Sequence, residues 1–595
     1  MRLIGKILLG LLSVVGFLTL LAVGLSIYAL SNFRGSTPAM PVSGRAVLAI
    51  DLDDNFVEGT SGRRIEGFGL RSQVSLHDTL LAIKRAKSDS HIVGIKANLS
   101  EQSLGLAQIQ EVREAVADFR TSGKPAFLYS ETIGEGSGAL PGYYLASGFG
   151  TIWVQPSGTV GIAGIGTEEF FLKKLLDRLG LKGSFVARKE FKSAPETFTA
   201  TSMSPANREA MTALIGSWFE QITSGIAADR KIEPAAVKAL VDKGPLLASE
   251  ALEGKLIDHL GYRDEFDAHV KSELKGANEV TLSRYIGAEM VAKQTSSRKR
   301  VAVVHAVGEI DRAKDKGGEL IPSGGVHAER TSRAIRKAAD DKNIAAILLR
   351  VDSPGGSYVA SDTIWREIIK AKEKNKPVIV SMGNLAASGG YFIAMPADRI
   401  FADGATITGS IGVFSGKVVI EGALAKLEIG HEQVTVGESA GMFSATRDFS
   451  PRDLARLNQM LDATYADFTG KAAQGRGKTA AEIEEVARGR VWSGADAAKN
   501  GLVDEVGGFI RALDYVKTRI GLQADDQVTL VPFPTPQQPW LTLFQSLEDD
   551  DLPLTALGFL QTLRWFETRL APFKAMMKAA TSEGHQLRME PISAK

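Results

Sequence analysis

The sequence predicts an α/β protein built from two tandem copies of one unit, each a largely parallel sheet flanked by helices. Two observations predict this organisation. Short apolar runs alternate with helical patterns along most of the 595 residues, and similar segments recur about 250 residues apart. A third observation adds an element before the two copies, because residues 7–30 form an uncharged, mostly apolar run of 24 residues that predicts a transmembrane helix.

The predicted transmembrane helix is long enough to remain in the membrane. A helix over residues 7–30 would span about 36 Å, whereas a cleaved signal usually has an apolar run of about 7–15 residues. Arg2 and Lys6 precede the run, which favours a cytoplasmic tail over residues 1–6 and export of everything that follows. In a bacterium, this predicts a single-pass inner-membrane protein with its domains in the periplasm.

Four segments of the first half recur in the same order in the second half. The matched pairs are 92–99 with 344–351, 142–146 with 390–394, 161–164 with 409–412, and 251–261 with 497–507. The offsets of 252, 248, 248 and 246 residues are nearly constant, as a tandem duplication requires. We therefore expect a linker over 31–43, a first repeat over 44–290, a linker over 291–300, a second repeat over 301–530 and an amphipathic tail over 531–595.

The pattern within each copy is that of successive βαβ units. The predicted strands are 46–51 in the first copy and 301–307, 345–351, 378–382 and 399–402 in the second; the predicted helices are 205–229 in the first copy and 361–374, one opening near Ser388, and 451–474 in the second. Strands that alternate with helices in this way favour parallel pairing.

Composition and charge exclude several classes of function. Lys and Arg total 70 and Asp and Glu total 69, so the chain lacks the basic excess of a dedicated nucleic-acid binder. There is no cysteine, which excludes thiolate catalysis, disulfides and cysteine-bound metals. No metal or nucleotide motif is present either, and we expect no cofactor.

Two glycine-rich turns follow neighbouring predicted strands of the second copy. One contains Gly355-Gly356, and the other contains Ser388-Gly389-Gly390 at a predicted helix start. Glycines at such turns let a serine hydroxyl project, and the backbone N–H groups can stabilise an oxyanion. Each turn alone is more often a tight turn with a capping serine. When the two turns are considered together, two interpretations are about equally supported: a catalytic serine with its oxyanion donors, or two purely structural turns.

A difference between the copies suggests the base that a nucleophilic serine needs. None of the eight histidines lies in a glycine-rich or serine-bearing motif. The residue 248 positions before Ser388 is Leu140, whereas the residue 246 positions after Lys192 is Glu438. Each copy therefore retains one half of a possible Ser–Lys pair. A single lysine is ordinarily a solvated surface residue, so this hypothesis depends on the pattern of loss.

These motifs make the chain resemble the signal peptide peptidase A (protease IV) family in its long, duplicated, membrane-anchored form. The resemblance extends from the anchor to about residue 530. It rests on Phe191-Lys192-Ser193-Ala194, Ser204-Pro205, Ser353-Pro354-Gly355-Gly356, Ala387-Ser388-Gly389-Gly390-Tyr391 and Thr408-Gly409-Ser410-Ile411-Gly412-Val413. It implies tandem Clp-protease/crotonase-like domains and a serine endopeptidase with a Ser–Lys dyad.

The resemblance also implies a role for individual residues. Ser388 would be the nucleophile, Lys192 the general base, and Ser410 the hydroxyl that orients the lysine. Gly356 and Gly389 fall where the N–H donors of an oxyanion hole are expected. A lysine base must be neutral, so its pKa must fall from about 10.4 toward about 7, which burial among apolar groups can cause.

The partners implied by the resemblance are apolar peptides, above all remnant signal peptides, together with a lipid bilayer and further copies of the chain in a tetramer-like bowl. Two other functions remain open from the residues alone. One is a crotonase-like acyl-CoA enzyme, and the other is a non-enzymatic, membrane-anchored scaffold. The sequence also leaves open whether Ser388 and Lys192 meet within one chain or between two.

Overall fold

The computed structural model describes residues 44–54, 56–59, 62–66, 69–101, 103–135, 140–293, 299–313, 325–534 and 586–588. The predicted anchor over 7–30 and most of the predicted tail over 531–595 lie outside these residues. Within the described ranges, no helix combines the length and the apolar character needed to cross a bilayer.

The first copy contains a six-stranded, wholly parallel sheet. Its strands, in spatial order, are His259–Leu260, Thr151–Val154, Ala126–Ser130, Ile92–Asn98, Ala46–Asp51 and Asn278–Thr281. The predicted strand over 46–51 is confirmed residue for residue. The middle strands are buried along most of their length, as expected for a parallel sheet covered on both faces.

The second copy repeats this strand order in an eight-stranded sheet. The six matching strands are Glu505–Val506, Arg399–Ala402, Val378–Ala387, Ile344–Ser353, Arg300–Val307 and Thr529–Phe533, with Ile407–Gly409 and Val491–Ser493 added beside Val378–Ala387. Only the Ile407–Gly409 pairing with Val491–Ser493 is antiparallel among these pairs. The shared strand order is the structural counterpart of the internal sequence repeat.

Helices cover the sheets in both copies. Those of the first copy are Leu76–Ser88, Leu106–Arg120, Leu140–Ser147, Lys173–Leu179, Glu196–Thr199, Pro205–Arg230, Pro234–Lys243, Ala248–Glu253, Arg263–Glu273 and Leu282–Lys293. Those of the second are Ala328–Asp340, Tyr358–Glu373, Gly389–Ala394, Glu421–Lys426, Pro451–Arg476, Ala480–Val486, Gly494–Lys499 and Phe509–Arg519. The two 26-residue helices begin in the same way, with a serine N-cap followed by proline.

A third sheet connects the two copies. Its strands, in spatial order, are Val326–His327, Ile310–Asp311, Gly355–Ser357, Gln586–Arg588, Phe414–Val419 and Lys182–Ala187. Lys182–Ala187 of the first copy pairs antiparallel with Phe414–Val419 of the second over six residues, from Lys182 opposite Val419 to Ala187 opposite Phe414. Two small sheets complete the strands: Leu246–Leu247 with Thr159–Val160, and Phe56–Val57 and Gly62–Glu66 with Gly69–Ser75.

The hydrophobic core also crosses the boundary between the copies. One cluster of buried side chains includes Ile95 from the first sheet and Leu348 from the second. Within this contact, Arg350 donates hydrogen bonds to Glu58 and Glu111 of the first copy, and all three side chains are buried. Removal of Arg350 would leave two buried carboxylates without their positively charged partner, which is strongly destabilising. The two copies therefore pack as one body.

Candidate active site

Ser388 lies between a strand and a helix of the second copy. Strand Val378–Ala387 ends immediately before it, and it is the N-cap of helix Gly389–Ala394. Its backbone has φ 56° and ψ −116°, a conformation that few non-glycine residues adopt and that is typical of functional sites. The Ser388 N–H donates to the carbonyl of Gly409 over 2.8 Å, and the residue is fully buried.

Lys192 reaches this serine because of the strand pairing between the copies. It follows strand Lys182–Ala187, which pairs with Phe414–Val419 of the second copy. Its Nζ atom lies 3.0 Å from Ser388 Oγ, 2.9 Å from Ser410 Oγ and 3.2 Å from the Ser410 carbonyl oxygen. Both residues belong to the same chain, so this geometry requires no second subunit.

The surroundings of Lys192 favour its neutral form. The lysine is 4% exposed, and the apolar side chains of Phe191, Ala387 and Val491 belong to one cluster beside it. Burial lowers the pKa of Lys192 to about 7, because the ammonium form loses its hydration there. Near neutral pH, a large fraction of the lysine can therefore accept a proton.

The two predicted oxyanion glycines are close neighbours. A Cβ atom on Gly389 would lie 3.1 Å from the Gly356 nitrogen and 2.7 Å from Ser361 Oγ, so only glycine fits without displacement. Gly355, which precedes Gly356, has φ +95°, a backbone conformation that favours a residue without a side chain. The structure thus brings together all five residues singled out from the sequence: Ser388, Lys192, Ser410, Gly356 and Gly389.

Each copy lacks one of the two residues: Leu140 stands in the first copy at the position of Ser388, and Glu438 stands in the second copy at the position of Lys192. Leu140 opens helix Leu140–Ser147 of the first copy as a buried apolar side chain. Glu438 is largely exposed and contacts the Arg452 guanidinium. Leu140 has no hydroxyl and Glu438 has no amine, so the serine and the lysine of the pair come one from each copy.

The sequence analysis missed a buried acidic cluster behind the glycine-rich turn. Asp352, which directly precedes Ser353, has its pKa raised to about 7, first by burial and then by the charge of Glu58. Its Oδ1 accepts a hydrogen bond from the N–H of Leu385 on the strand that leads to Ser388. The sequence feature that could have revealed this cluster is Arg350 in an otherwise apolar strand, because a buried arginine needs carboxylate partners.

A second missed feature is the turn formed by Arg488, Gly489 and Arg490, hereafter the 488–490 turn. Arg488 and Gly489 both have positive φ values, 56° and 83°. The turn packs directly on the Lys192 backbone. Two consecutive left-handed residues have no clear sequence signature when only the second is glycine, so the turn could not be recognised in advance.

Comparison with known proteins places this chain in a family. The sequence profile of peptidase family S49 matches residues 118–277 and 370–523, which together exceed half of the chain. The two matched segments fall in the two copies, in agreement with the duplication. Crotonase-like acyl-CoA chemistry and a purely structural role, the alternatives left open by the residues, do not fit this family.

Curated relatives extend the match over most of the chain. Protease 4 of Salmonella typhi is 33% identical over 516 residues, covering 83% of this chain and 81% of its own. Protease 4 of Haemophilus influenzae is 30% identical, covering 86% of this chain and 84% of its own. The chloroplastic serine protease SPPA of Arabidopsis thaliana is 30% identical, covering 76% of this chain and 67% of its own. With its two profile matches and these long alignments, the chain belongs to peptidase family S49, a family of serine peptidases.

Proposed function

We propose that this serine peptidase uses Ser388 and Lys192 as a catalytic dyad to hydrolyse apolar peptides, in particular signal peptides already released from their precursors. One observation supports the dyad above all others: a buried lysine amine lies 3.0 Å from the hydroxyl of a serine at a strand-to-helix turn. The proposed substrate class draws on the apolar flank of the site and on the likeness to Protease 4 and SPPA relatives.

The three polar neighbours of Lys192 suit the valence of a neutral amine. Such an amine has two N–H donors and one lone pair. The donors can bond to the carbonyl and the Oγ of Ser410, at 3.2 and 2.9 Å, which leaves the lone pair for the Ser388 hydroxyl. Ser410 would therefore orient the lysine toward the nucleophile, as the sequence predicts.

The reaction then proceeds through an acyl-enzyme. Ser388 Oγ attacks the scissile carbonyl carbon while its proton moves to Lys192 Nζ, and the resulting ammonium protonates the leaving amine as the C–N bond breaks. A water molecule next attacks the ester carbonyl carbon while Lys192 accepts its proton, and the resulting ammonium returns that proton to Ser388 Oγ as the ester C–O bond breaks and the carboxylic acid product leaves. The N–H groups of Gly356 and Gly389 are the proposed donors to the oxyanion formed in both steps.

The strand that contains Gly356 suits a peptide substrate in an extended conformation. Strand Gly355–Ser357, which contains the proposed oxyanion glycine Gly356, pairs antiparallel with Gln586–Arg588 of this chain. Ile310–Asp311 pairs with its other side, so a substrate in an extended conformation would take the place of Gln586–Arg588 and bind through main-chain hydrogen bonds, which recognise a peptide independently of its side chains. Selection for apolar substrates would then come from the side chains around the lysine.

The proposals for location and assembly rest on the apolar run near the amino terminus and on the family resemblance. We propose that residues 7–30 anchor the chain in the bacterial inner membrane, that the two Clp-protease/crotonase-like copies lie in the periplasm, and that several chains form a homo-oligomeric bowl on the bilayer. Sequencing the amino terminus of the mature protein tests the anchor. A start near Ser31 would show that the segment is removed.

The substrate class is tested with two synthetic peptides of equal length. One carries the apolar core of a signal peptide, and the other replaces that core by serine and glutamine. The purified enzyme should cleave the apolar peptide with a kcat/KM at least tenfold higher, and the Ser388→Ala variant should cleave neither. Equal cleavage of both peptides would contradict the proposed selectivity without affecting the dyad.

A further inference from the structure

The 488–490 turn contacts the backbone beside Lys192 and the backbone of Ser410. The Phe191 N–H donates to the Arg488 carbonyl over 3.1 Å, next to Lys192 in the first copy. The Ser410 N–H donates to the Arg490 carbonyl over 2.7 Å, in the second copy. A three-residue turn thus fixes the backbone beside the lysine and the backbone of the serine that contacts it.

Gly489 is the point of closest approach within this turn. A Cβ atom at this position would lie 2.5 Å from the Lys192 nitrogen and 2.7 Å from its Cβ atom, closer than real Cβ contacts allow. The Gly489 N–H also donates to the Ile411 carbonyl over 2.8 Å, directly after Ser410. Absence of a side chain is therefore what lets the lysine segment sit against the second copy.

A second glycine lies close to both Lys192 and Gly489. A Cβ atom on Gly412 would lie 3.2 Å from Lys192 Cδ and 2.9 Å from the Gly489 Cα atom. The lysine side chain consequently occupies a narrow space between two backbone segments of the second copy. The aromatic ring of Phe191 is held as well, since the Arg490 guanidinium lies 4.9 Å from its centroid and 4.6 Å from that of Trp492.

We propose that the 488–490 turn is a clamp that positions Lys192 across the boundary between the copies, with Gly489 as the positioning residue. The clamp acts through Lys192 and touches no reacting atom of its own. This inference rests on the proposed role of Lys192 as the base. It assigns a function to a segment that contains neither member of the dyad.

Gly489→Ala tests the clamp, and Gly477→Ala is its matched control. Both glycines have positive φ values, 83° and 61°, so both substitutions impose a left-handed alanine. They differ in space, because a Cβ atom on Gly477 meets nothing within 4 Å. Any difference between the variants therefore reports the displacement of Lys192 and not the backbone conformation.

The expected result is a loss of turnover without a loss of substrate binding. Gly489→Ala should lower kcat about 10- to 100-fold and change KM less than about threefold, because a displacement near 1 Å of a reacting group has effects of this size. The pH at which kcat/KM is half-maximal should also rise, since a displaced lysine is less completely desolvated. Gly477→Ala should retain the wild-type kcat and the wild-type pH profile.

Two outcomes would overturn the proposal. One is a Gly489→Ala enzyme with the kcat and the pH profile of Gly477→Ala. If Gly489→Ala fails to fold, Gly412→Ala places a Cβ atom 3.2 Å from Lys192 Cδ, and wild-type kcat and pH dependence in that variant would be the second. Failure of the dyad itself is seen separately, as activity retained by Lys192→Arg.

Discussion

The Nζ atom of Lys192 lies 3.0 Å from Ser388 Oγ although 196 residues separate them in the chain. Each residue comes from a different copy of the duplicated unit, and the antiparallel pairing of Lys182–Ala187 with Phe414–Val419 brings them together. Burial lowers the pKa of Lys192 to about 7, which is what its proposed role as the base requires. Five predictions follow from this pair and its surroundings.

Ser388→Ala should abolish peptidase activity while the protein remains folded. Loss of a serine nucleophile typically lowers kcat on the order of 10⁴-fold or more, since the acyl-enzyme can no longer form. The variant should also fail to react with a serine-directed phosphonate probe, as followed by intact mass. Ser439→Ala, at an exposed serine of the same copy, is the control and should react like the wild type. Normal turnover by Ser388→Ala would remove Ser388 as the nucleophile.

Lys192→Arg should be nearly as inactive as Lys192→Met. Arginine preserves the positive charge but cannot be deprotonated near neutral pH, so it cannot accept the serine proton. The expected loss in kcat is about 10²- to 10⁴-fold, measured with a fluorogenic apolar peptide. The control, Lys189→Arg, changes a half-exposed lysine paired with Glu484 and should keep full activity. An active Lys192→Arg enzyme would show that charge, not proton transfer, is the contribution of this lysine.

The kcat/KM of the wild-type enzyme should rise with pH through a single ionisation near pH 7. The lysine must be neutral to act, and burial lowers its pKa to about 7 from the ordinary value of 10.5. Activity should therefore fall below pH 7, where the ammonium form dominates, and reach a plateau above about pH 8. Initial rates at low substrate concentration between pH 5 and pH 10 measure this profile. A half-maximal point near pH 10 would mean that the lysine is not desolvated in the working enzyme.

Ser410→Ala should weaken catalysis without removing it. The variant loses the Oγ acceptor that lies 2.9 Å from Lys192 Nζ but keeps the carbonyl acceptor. One hydrogen bond of about 1–2 kcal/mol corresponds to a loss of about 5- to 30-fold in kcat. Because the lost acceptor also stabilises the ammonium form, the half-maximal pH should move downward. Ser415→Ala, another buried serine, provides the control, and an unchanged pH profile in Ser410→Ala would argue against the orienting role.

Lys192→Met should be more stable to denaturant than the wild type near pH 7, and the difference should shrink toward pH 10. Between about pH 7 and pH 10.5 the unfolded chain binds more protons than the native one, so wild-type stability rises with pH. The advantage of methionine at pH 7 is of the order of a few kcal/mol, because it is buried without desolvating a charge. Urea unfolding at pH 7 and pH 10 measures it, with Lys189→Met as the exposed control. A difference that does not vary with pH would contradict the assigned burial of the ammonium form.

The sequence predicted the local elements well, because their signals are local. The 26-residue helix Pro205–Arg230 begins at a serine cap followed by proline, and the sequence placed its start at the same residue. Strand Val378–Ala387 is longer than the predicted 378–382, since its pairing with Ile344–Ser353 breaks after Met382, where Gly383 and Asn384 interrupt the apolar run, and resumes at Ala386 after a register shift. Pairing with neighbouring strands, and not the local pattern, decides where such a strand ends.

The candidate site could be predicted only because the two copies can be compared. Ser388 lies in a recognisable glycine-rich turn. Lys192 lies in no comparable motif, and it was found because the second copy has Glu438 at the matching position. The contact itself depends on strand pairing between residues more than 200 positions apart, for which short-range patterns carry no information.

Division of the dyad between the copies has an evolutionary consequence. A duplicated domain with a complete site in each half can lose either half and remain an enzyme. Here loss of the first copy would remove Lys192, and loss of the second would remove Ser388. Restoring a single-copy enzyme would require a serine at Leu140 together with a new pair of glycines in the first copy, or a correctly buried lysine in place of exposed Glu438 in the second. Selection for activity therefore retains both copies together, and reversion to a single-copy enzyme would need several simultaneous substitutions.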